Sequence, residues 1–472
     1  MHRPLARRLM AAASSLALVA ASAATVVAAG PPVPGPNIDI SRLANNEAET
    51  SVAINPRDPR NVVVASNVQV GDGLVVGVSR DGGATWTTRP VGDGDALGVA
   101  CCDPSLAFDD FGNLFLIYLD ARAKRVQAAW SIDGGSTFRF LKTIDATDNG
   151  TIKPPPTKGA GGGAGVDQPT VTTGPGSVWV TYKLYSKKQS LQVRGASVLG
   201  LGRMGAWAAP AAVPGSRAGT FGDIAVGPDG RVMVTYQDSI DSEGPSTIWV
   251  NTDPDGFGPA PMGPAVKVGI TEVGGFDYIP PQAVRSVDAE TGLAWDRTRG
   301  AHRGRVYLVY TDEAPAESSD TDIWIRHSDD SGATWSAPIQ VNDDTGTNSQ
   351  FNPHIALDQT TGIVGVGWHD ARLDLGKGGS GDTNGVANDD ANYYVAVSRN
   401  AGASFGANVR ASRGTSNGAA SKNGVQYGDY TGMAFRSGVM HPVWADNSNS
   451  TRDNPDGRLS RFDLVTSAVI VP

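Results

Sequence analysis

Along this chain the apolar positions come in short runs, separated by clusters of Gly, Asp, Asn and Pro. No long stretch repeats with the helical period. The runs are rich in β-branched and aromatic residues, so they predict strands. They come in pairs around a turn. ETSVAINPRDPRNVVVASN starts at Glu49, DPSLAFDDFGNLFLIYLDAR at Asp103, DQPTVTTGPGSVWVTYK at Asp167 and GDIAVGPDGRVMVTYQD at Gly222. A stretched pair, GLAWDRTRGAHRGRVYLVYTD, starts at Gly292; NPHIALDQTTGIVGVGWHDAR follows at Asn352 and GDYTGMAFRSGVMHPVWADN at Gly428. Each reads as a hairpin, seven in all, and most second runs end on an acid: Asp120, Asp238, Asp312, Asp370 and Asp446.

A second segment, S-x-D-x-G-x-[ST]-[WF], follows four of the hairpins as SRDGGATW (79–86), SIDGGSTF (131–138), SDDSGATW (328–335) and SRNAGASF (398–405). NTDPDGF at 251–257 is a decayed copy. The carboxylate of Asp81, Asp133 or Asp330, or the amide of Asn400, is placed to accept backbone N–H groups inside a tight turn. The glycine two residues on permits the backbone angle, and the aromatic plugs between sheets. Hairpins and boxes together predict an all-β fold, a β-propeller of four-stranded blades. Seven hairpins favour seven blades, with six as the alternative. NIDISRL near the N-terminus is expected to supply the outer strand that the last blade lacks. The box is the Asp box, or BNR repeat, and the chain resembles the secreted bacterial sialidase-like Asp-box propellers. The resemblance spans nearly the whole chain beyond residue 29 and speaks to fold more than to activity.

In such a blade the starts of the innermost strands and the ends of the second strands share one face, and the Asp-box turns lie on the other. The boxes are therefore structural. The first face collects Glu49, Asp103, Asp167, Asp223, Asn352 and Asp429 at the inner starts. Asp120 with Arg122, His369-Asp370 with Arg372, and Asp446 stand at the second-strand ends. Loops 153–165, 373–392 and 447–458 rise on the same face, where binding usually resides. These acids predict a ring about the axis. Turn capping, bridges to Arg122 and Arg372, ligand binding, or a bound cation such as Ca²⁺ are the readings it allows; no EF-hand spacing supports the last.

The chain opens with Arg3, Arg7 and Arg8, an apolar run from Leu9 to about Ala24, and small residues at Val27 and Ala29. This pattern predicts a cleaved signal peptide over 1–29, a single propeller domain over 30–472, and a secreted or periplasmic protein. Cleavage removes three arginines and no acid, taking the net charge from −9 to −12. That balance argues against nucleic acid or anionic membrane as a partner and leaves a glycan or glycoconjugate. No other segment is long and apolar enough to span a bilayer. Cys101 and Cys102, the two cysteines, adjoin each other just before Asp103. In an oxidising compartment a vicinal disulfide is the first expectation, two buried thiols the second and a soft-metal pair the third. Neighbouring Cα atoms stand only about 3.8 Å apart, below the about 4.4–6.8 Å of ordinary bridges.

The resemblance implies glycan chemistry, a sialidase-type glycoside hydrolase first. Such enzymes hold the sugar carboxylate with three arginines, the first in an R-I-P motif on the first inner strand. Here that place reads Glu49-Thr50-Ser51, without the arginine. They also use a tyrosine nucleophile with a carboxylate partner and an aspartic general acid. QYGDYTG offers Tyr427 and Tyr430 beside Asp429; packing at a strand end is the bland alternative for these tyrosines. Asp103 or Asp120 is the general-acid candidate. The alternative function is a non-catalytic propeller that binds glycan or protein through the same face.

Overall fold

Seven antiparallel sheets form, each around one of the seven hairpins. The innermost strands are Glu47–Ile54, Gly98–Phe108, Val166–Gly174, Thr220–Val226, Gly292–Trp295, Gln350–Leu357 and Gly432–Arg436. Each packs beside the next, and the last packs beside the first, so the ring closes as a seven-bladed propeller. The six-bladed alternative is excluded. These are features of a computed structural model that describes Met1 and residues 30–68, 73–146, 165–185, 190–238, 243–421 and 425–472. The predicted signal peptide, Met1 aside, and the loop 153–165, Gly165 aside, lie outside the described residues. Among the described residues no helix is long and apolar enough to cross a membrane.

The second strands explain the continuous apolar runs. Val62–Val68, Leu114–Asp120, Val232–Gln237 and Val364–Asp370 are buried almost throughout, because a neighbouring blade covers each face of the sheet. The core is thus divided into inter-blade layers. Val63, Ala65 and Val76 of the first blade meet Leu106, Leu114 and Leu116 of the second. Tyr307 and Val309 of the fifth meet Ile355 and Trp368 of the sixth.

Ring closure follows the sequence expectation. Ile38–Asp39 pairs with Asp463–Thr466 and completes the outer edge of the seventh blade. Val33–Pro34 pairs with Val469–Ile470, which pairs with the start of Val439–Asp446. Both chain ends are therefore laced into one sheet.

The S-x-D-x-G turns join third to fourth strands, on the face opposite the inner-strand starts. Asp81 accepts from the Thr85 hydroxyl and from its N–H at 2.9 Å, while the Gly83 N–H donates to Ser79 Oγ at 2.8 Å. Gly83 needs its φ of +88° for this turn. The Thr85 contacts hold the Asp81 carboxyl down at about 2. Asp133, Asp330 and Asn400 make the same turn with Thr137, Thr334 and Ser404. The decayed copy keeps part of it, Asp253 accepting the N–H groups of Asp255 and Gly256.

Candidate functional site

Where most inner strands begin, the pairing register slips: between Ala48 and Ser51, Cys102 and Ser105, Asp167 and Thr170, Thr220 and Asp223, and Phe351 and His354. One residue in each slip takes a left-handed backbone: Glu49 (φ 58°), Asp103 (54°), Gln168 (41°), Phe221 (52°) and Asn352 (51°). Glu290 (φ 40°), two residues before Gly292, repeats this in the fifth blade. None is glycine, and each such residue costs about 1–3 kcal/mol, so packing around the axis imposes the bulge. The following residues, Thr50, Pro104, Pro169, Gly222, Thr291 and Pro353, converge with Thr431 of the seventh blade on a central cavity of about 90 Å³. Asp223, Glu290, His354 and Tyr430 also line it.

Above this floor the acids gather around one arginine. Arg285 Nε donates to Asp429 Oδ1 at 2.6 Å, and its Nη2 reaches both Asp429 Oδ2 and, at 3.1 Å, Glu49 Oε1. Asn67 joins two neighbours: its Nδ2 donates to Glu49 Oε2 and its Oδ1 accepts the Asp103 N–H at 2.8 Å. The Gln168 N–H is shared by Asp103 Oδ2 and Asp167 Oδ1, each at 3.1 Å. Burial, then the charges of Asp167, Glu49 and Asp429, raises the Asp103 carboxyl well above the usual range. Burial and Asp429 push Glu49 up to about 7, against the pull of Arg285. Asp288 and Glu290 are raised as well, by burial first and then by Asp429 and by Asp288 respectively. Burial and the surrounding acids keep the Tyr430 phenol protonated. For Arg285, burial is outweighed by Asp429 and Glu49, which keep its charge.

Arg285 reaches this place on the segment before the fifth blade. A 3₁₀ turn at Pro280–Gln282 docks that segment onto the start of the seventh blade. Gln282 Nε2 donates to the Gly428 carbonyl at 2.8 Å and its Oε1 accepts the Tyr427 N–H at 3.0 Å. Gln426 Oε1 accepts the N–H groups of Val284 and Arg285. The segment is a strap across the mouth of the axis. Sequence reasoning placed no element there and overlooked Asp288 and Glu290. The signal that finds Glu290 is the repeat itself, since Glu290-Thr291-Gly292 echoes Glu49-Thr50-Ser51.

Of the residues singled out in the sequence, Glu49, Asp103, Asp167, Asp223, Asp429 and Tyr430 come together, and Asn352 bonds the Gly428 carbonyl beside them. Tyr427 and the residues at the ends of the second strands do not, and these are corrections. Tyr427 is fully buried, its hydroxyl donating to the Ser416 carbonyl at 2.9 Å, its ring against Phe351, His369 and Phe462. His369 lies in the same aromatic cluster, and burial lowers it to about 3. Asp370 and Asp446 accept the indole N–H of Trp368 and Trp444. Arg372 is locked by Asp370, Asp343 and Asp344 and lies over the Tyr394 ring. Asp120 caps the turn after its strand through the N–H groups of Lys124 and Arg125, and Arg122 stands in that turn. These second-strand ends, in the second, sixth and seventh blades, thus face turns and neighbouring blades, whereas Asn67 at the same place in the first blade meets the axial acids.

Cys101 and Cys102 are bonded to each other, Cα to Cα 3.8 Å. The pair is half-buried against the layer between the second and third blades, directly before Asp103. The acids of the axis are not the set spaced for one metal ion. Among the described residues that spacing occurs at Asp374, Asp389 and Asp390, in the loop after the second strand of the sixth blade.

No protein-family model and no curated protein matches the chain. Solved structures do resemble it. A protein of unknown function from Dyadobacter fermentans is 11% identical at a TM-score of 0.47, over 94% of this chain and 100% of its own. An α-L-arabinofuranosidase from Fusarium graminearum is 13% identical at 0.47, over 72% and 93%. An α-L-arabinanase from Penicillium chrysogenum is 12% identical at 0.46, over 78% and 98%. Identities and scores this low leave the activities of those proteins with them.

Proposed function

We propose that this chain is an exported, glycan-active propeller that hydrolyses a neutral glycosidic linkage at its axial mouth. The observation that carries the reading is the division of labour among the axial carboxyls. Asp103 keeps its proton because burial and neighbouring acids oppose its charge, whereas Asp429 is engaged by Arg285. A protonated acid beside a cation-paired carboxylate is what glycoside cleavage needs. In this account Asp103 protonates the leaving oxygen, and Asp429 faces the sugar as base or nucleophile. Tyr430, still protonated, donates a hydrogen bond to a ring hydroxyl. The substrate is neutral because Arg285 is already paired with Asp429 and Glu49. A sugar carboxylate would have to compete with Asp429 and Glu49 for the guanidinium, and would add charge to a buried cluster that already keeps Asp103 protonated. This favours a neutral glycoside over the sialoside that the Asp-box resemblance implies.

One observation favours a second reading, glycan binding without turnover. A cavity of about 90 Å³ holds a few waters, so a sugar ring rests over the mouth and not within it. Both readings are tested on neutral and sialylated nitrophenyl glycosides, with Asp103→Asn beside the wild type. The hydrolase account expects turnover of a neutral glycoside and a fall of roughly 10²–10⁴-fold in kcat/KM for Asp103→Asn. Glycan binding with no turnover selects the second reading, and turnover of sialosides alone overturns the neutral-substrate assignment.

A further inference from the structure

Loop 371–389 leaves the second strand of the sixth blade, folds over the mouth-side rim and returns into Asp390–Ser398. Its chemistry is unlike that of the axis. Asp374 and Asp390 are 0% and 1% exposed and Asp389 is 7% exposed. One carboxylate oxygen from each lies within 4.8 Å of the other two. Calcium–oxygen distances are about 2.3–2.6 Å, so ligands on opposite sides of one ion stand roughly 4.6–5.2 Å apart. The three oxygens therefore fit within a single calcium sphere.

Most of the other oxygen capacity is spent on folding the loop. Asp374 Oδ2 accepts the N–H groups of Asp389 and Asp390 at 2.7 and 2.9 Å. Asp390 accepts the N–H and the hydroxyl of Thr383. Asp389 Oδ2 accepts Asn384 Nδ2 at 2.8 Å. Asp389 Oδ1 is different: it is buried and has no hydrogen-bond partner. A buried carboxylate oxygen without a partner is costly, and buried charges are ordinarily paired or bound to metal. Among the described residues no lysine or arginine pairs with any of the three acids.

We propose that Asp374, Asp389 and Asp390 bind a calcium-sized divalent cation, with Asp389 Oδ1 as the oxygen held in readiness for it. The ion does not depend on the glycan reading. It ties the loop to the start of the seventh blade, because Asp390 and Ala391 pair with Asn417 and Ser416, and the Ser416 carbonyl takes the Tyr427 hydroxyl. A proton shared among the three acids is the competing way to relieve the site, and the experiment separates the two. The full chain is stripped with EGTA and titrated with CaCl₂ by calorimetry, with Tb³⁺ luminescence and thermal melting in parallel. The expected result is saturable Ca²⁺ binding, a rise in Tm on Ca²⁺ addition, and binding weakened more than about tenfold by Asp389→Asn. Asp382→Asn, an acid of the same loop outside the triple, serves as the comparison and retains binding. Circular dichroism of both variants establishes that they are folded; if Asp389→Asn is not, Asp389→Ser takes its place. No saturable Ca²⁺ binding by the wild type, or unchanged affinity in the folded Asp389 variant, overturns the proposal.

Discussion

At the scale of single residues, the axis is built from backbone strain and buried charge. Glu49 shows both: a left-handed φ and a carboxyl raised from 4.5 to about 7. The folded chain holds this proton more tightly than the unfolded one does. The associated stability is therefore fully present below about pH 4.5 and is lost as the pH rises through about 7. Glu49→Gln is expected to flatten the fall in Tm between those values; an unchanged slope in a melting series contradicts the assignment. The vicinal disulfide acts at the same scale. It adjoins Asp103, so reducing it is expected to lower kcat/KM while leaving the Tm within a few degrees of its oxidised value. A collapse of the fold on reduction would make the bond a general brace instead. Glu49, Asp103, Asp167 and Asp429 were legible because each heads a small-apolar run. His369, Asp370 and Asp446 misled because a strand's pattern tells which residues are buried, not which neighbour they meet. Their real signal was W-x-D at Trp368-His369-Asp370 and Trp444-Ala445-Asp446, since a buried indole N–H needs an acceptor.

At the scale of elements, the ring depends on its N-terminal strand. Ile40 is 2% exposed and packs with Val75, Val443 and Leu464, joining the first and seventh blades. Ile40→Ala is expected to lower unfolding stability by about 2–5 kcal/mol in denaturant melts. A cost below the lower bound would mean that the strand is dispensable to closure. Beside it lie three buried acids, Asp39, Glu47 and Asp463. Burial, partly offset by the Ser41 hydroxyl, pushes Glu47 up to about 9; burial with Asp39 and Glu47 pushes Asp463 up to about 10. By the same sign, closure holds when these carboxyls are protonated and weakens as the pH rises through about 9–10. Glu47→Gln is expected to raise the Tm relative to wild type at pH 9 and above; equal melting curves there would contradict this. The strand itself was legible from NIDISRL. The strap at 274–291 was not, because its register comes from Gln282 bonding the Gly428 carbonyl and from Gln426 accepting the Val284 N–H, contacts between distant parts of the chain.

At the scale of the whole molecule, the two faces divide their tasks. Boxed turns brace one face; acids, strap and cystine pair occupy the other. Seven hairpins and four boxes made that division readable, because each repeat buries its apolar face only against the next. The proposed signal peptide over 1–29 leads to the expectation that protein recovered from culture medium begins near Gly30, and N-terminal sequencing checks it; a start at Met1 would contradict export by cleavage. The proposal that the carboxyls around Arg285 receive the sugar is decided by the crystal structure of Asp103→Asn soaked with a neutral oligosaccharide that the wild type binds. A sugar ring is expected over the mouth, in contact with Asn at position 103, Asp429 and Tyr430. A sugar bound on the boxed-turn face or along the outer rim, with the axis bare, would contradict it.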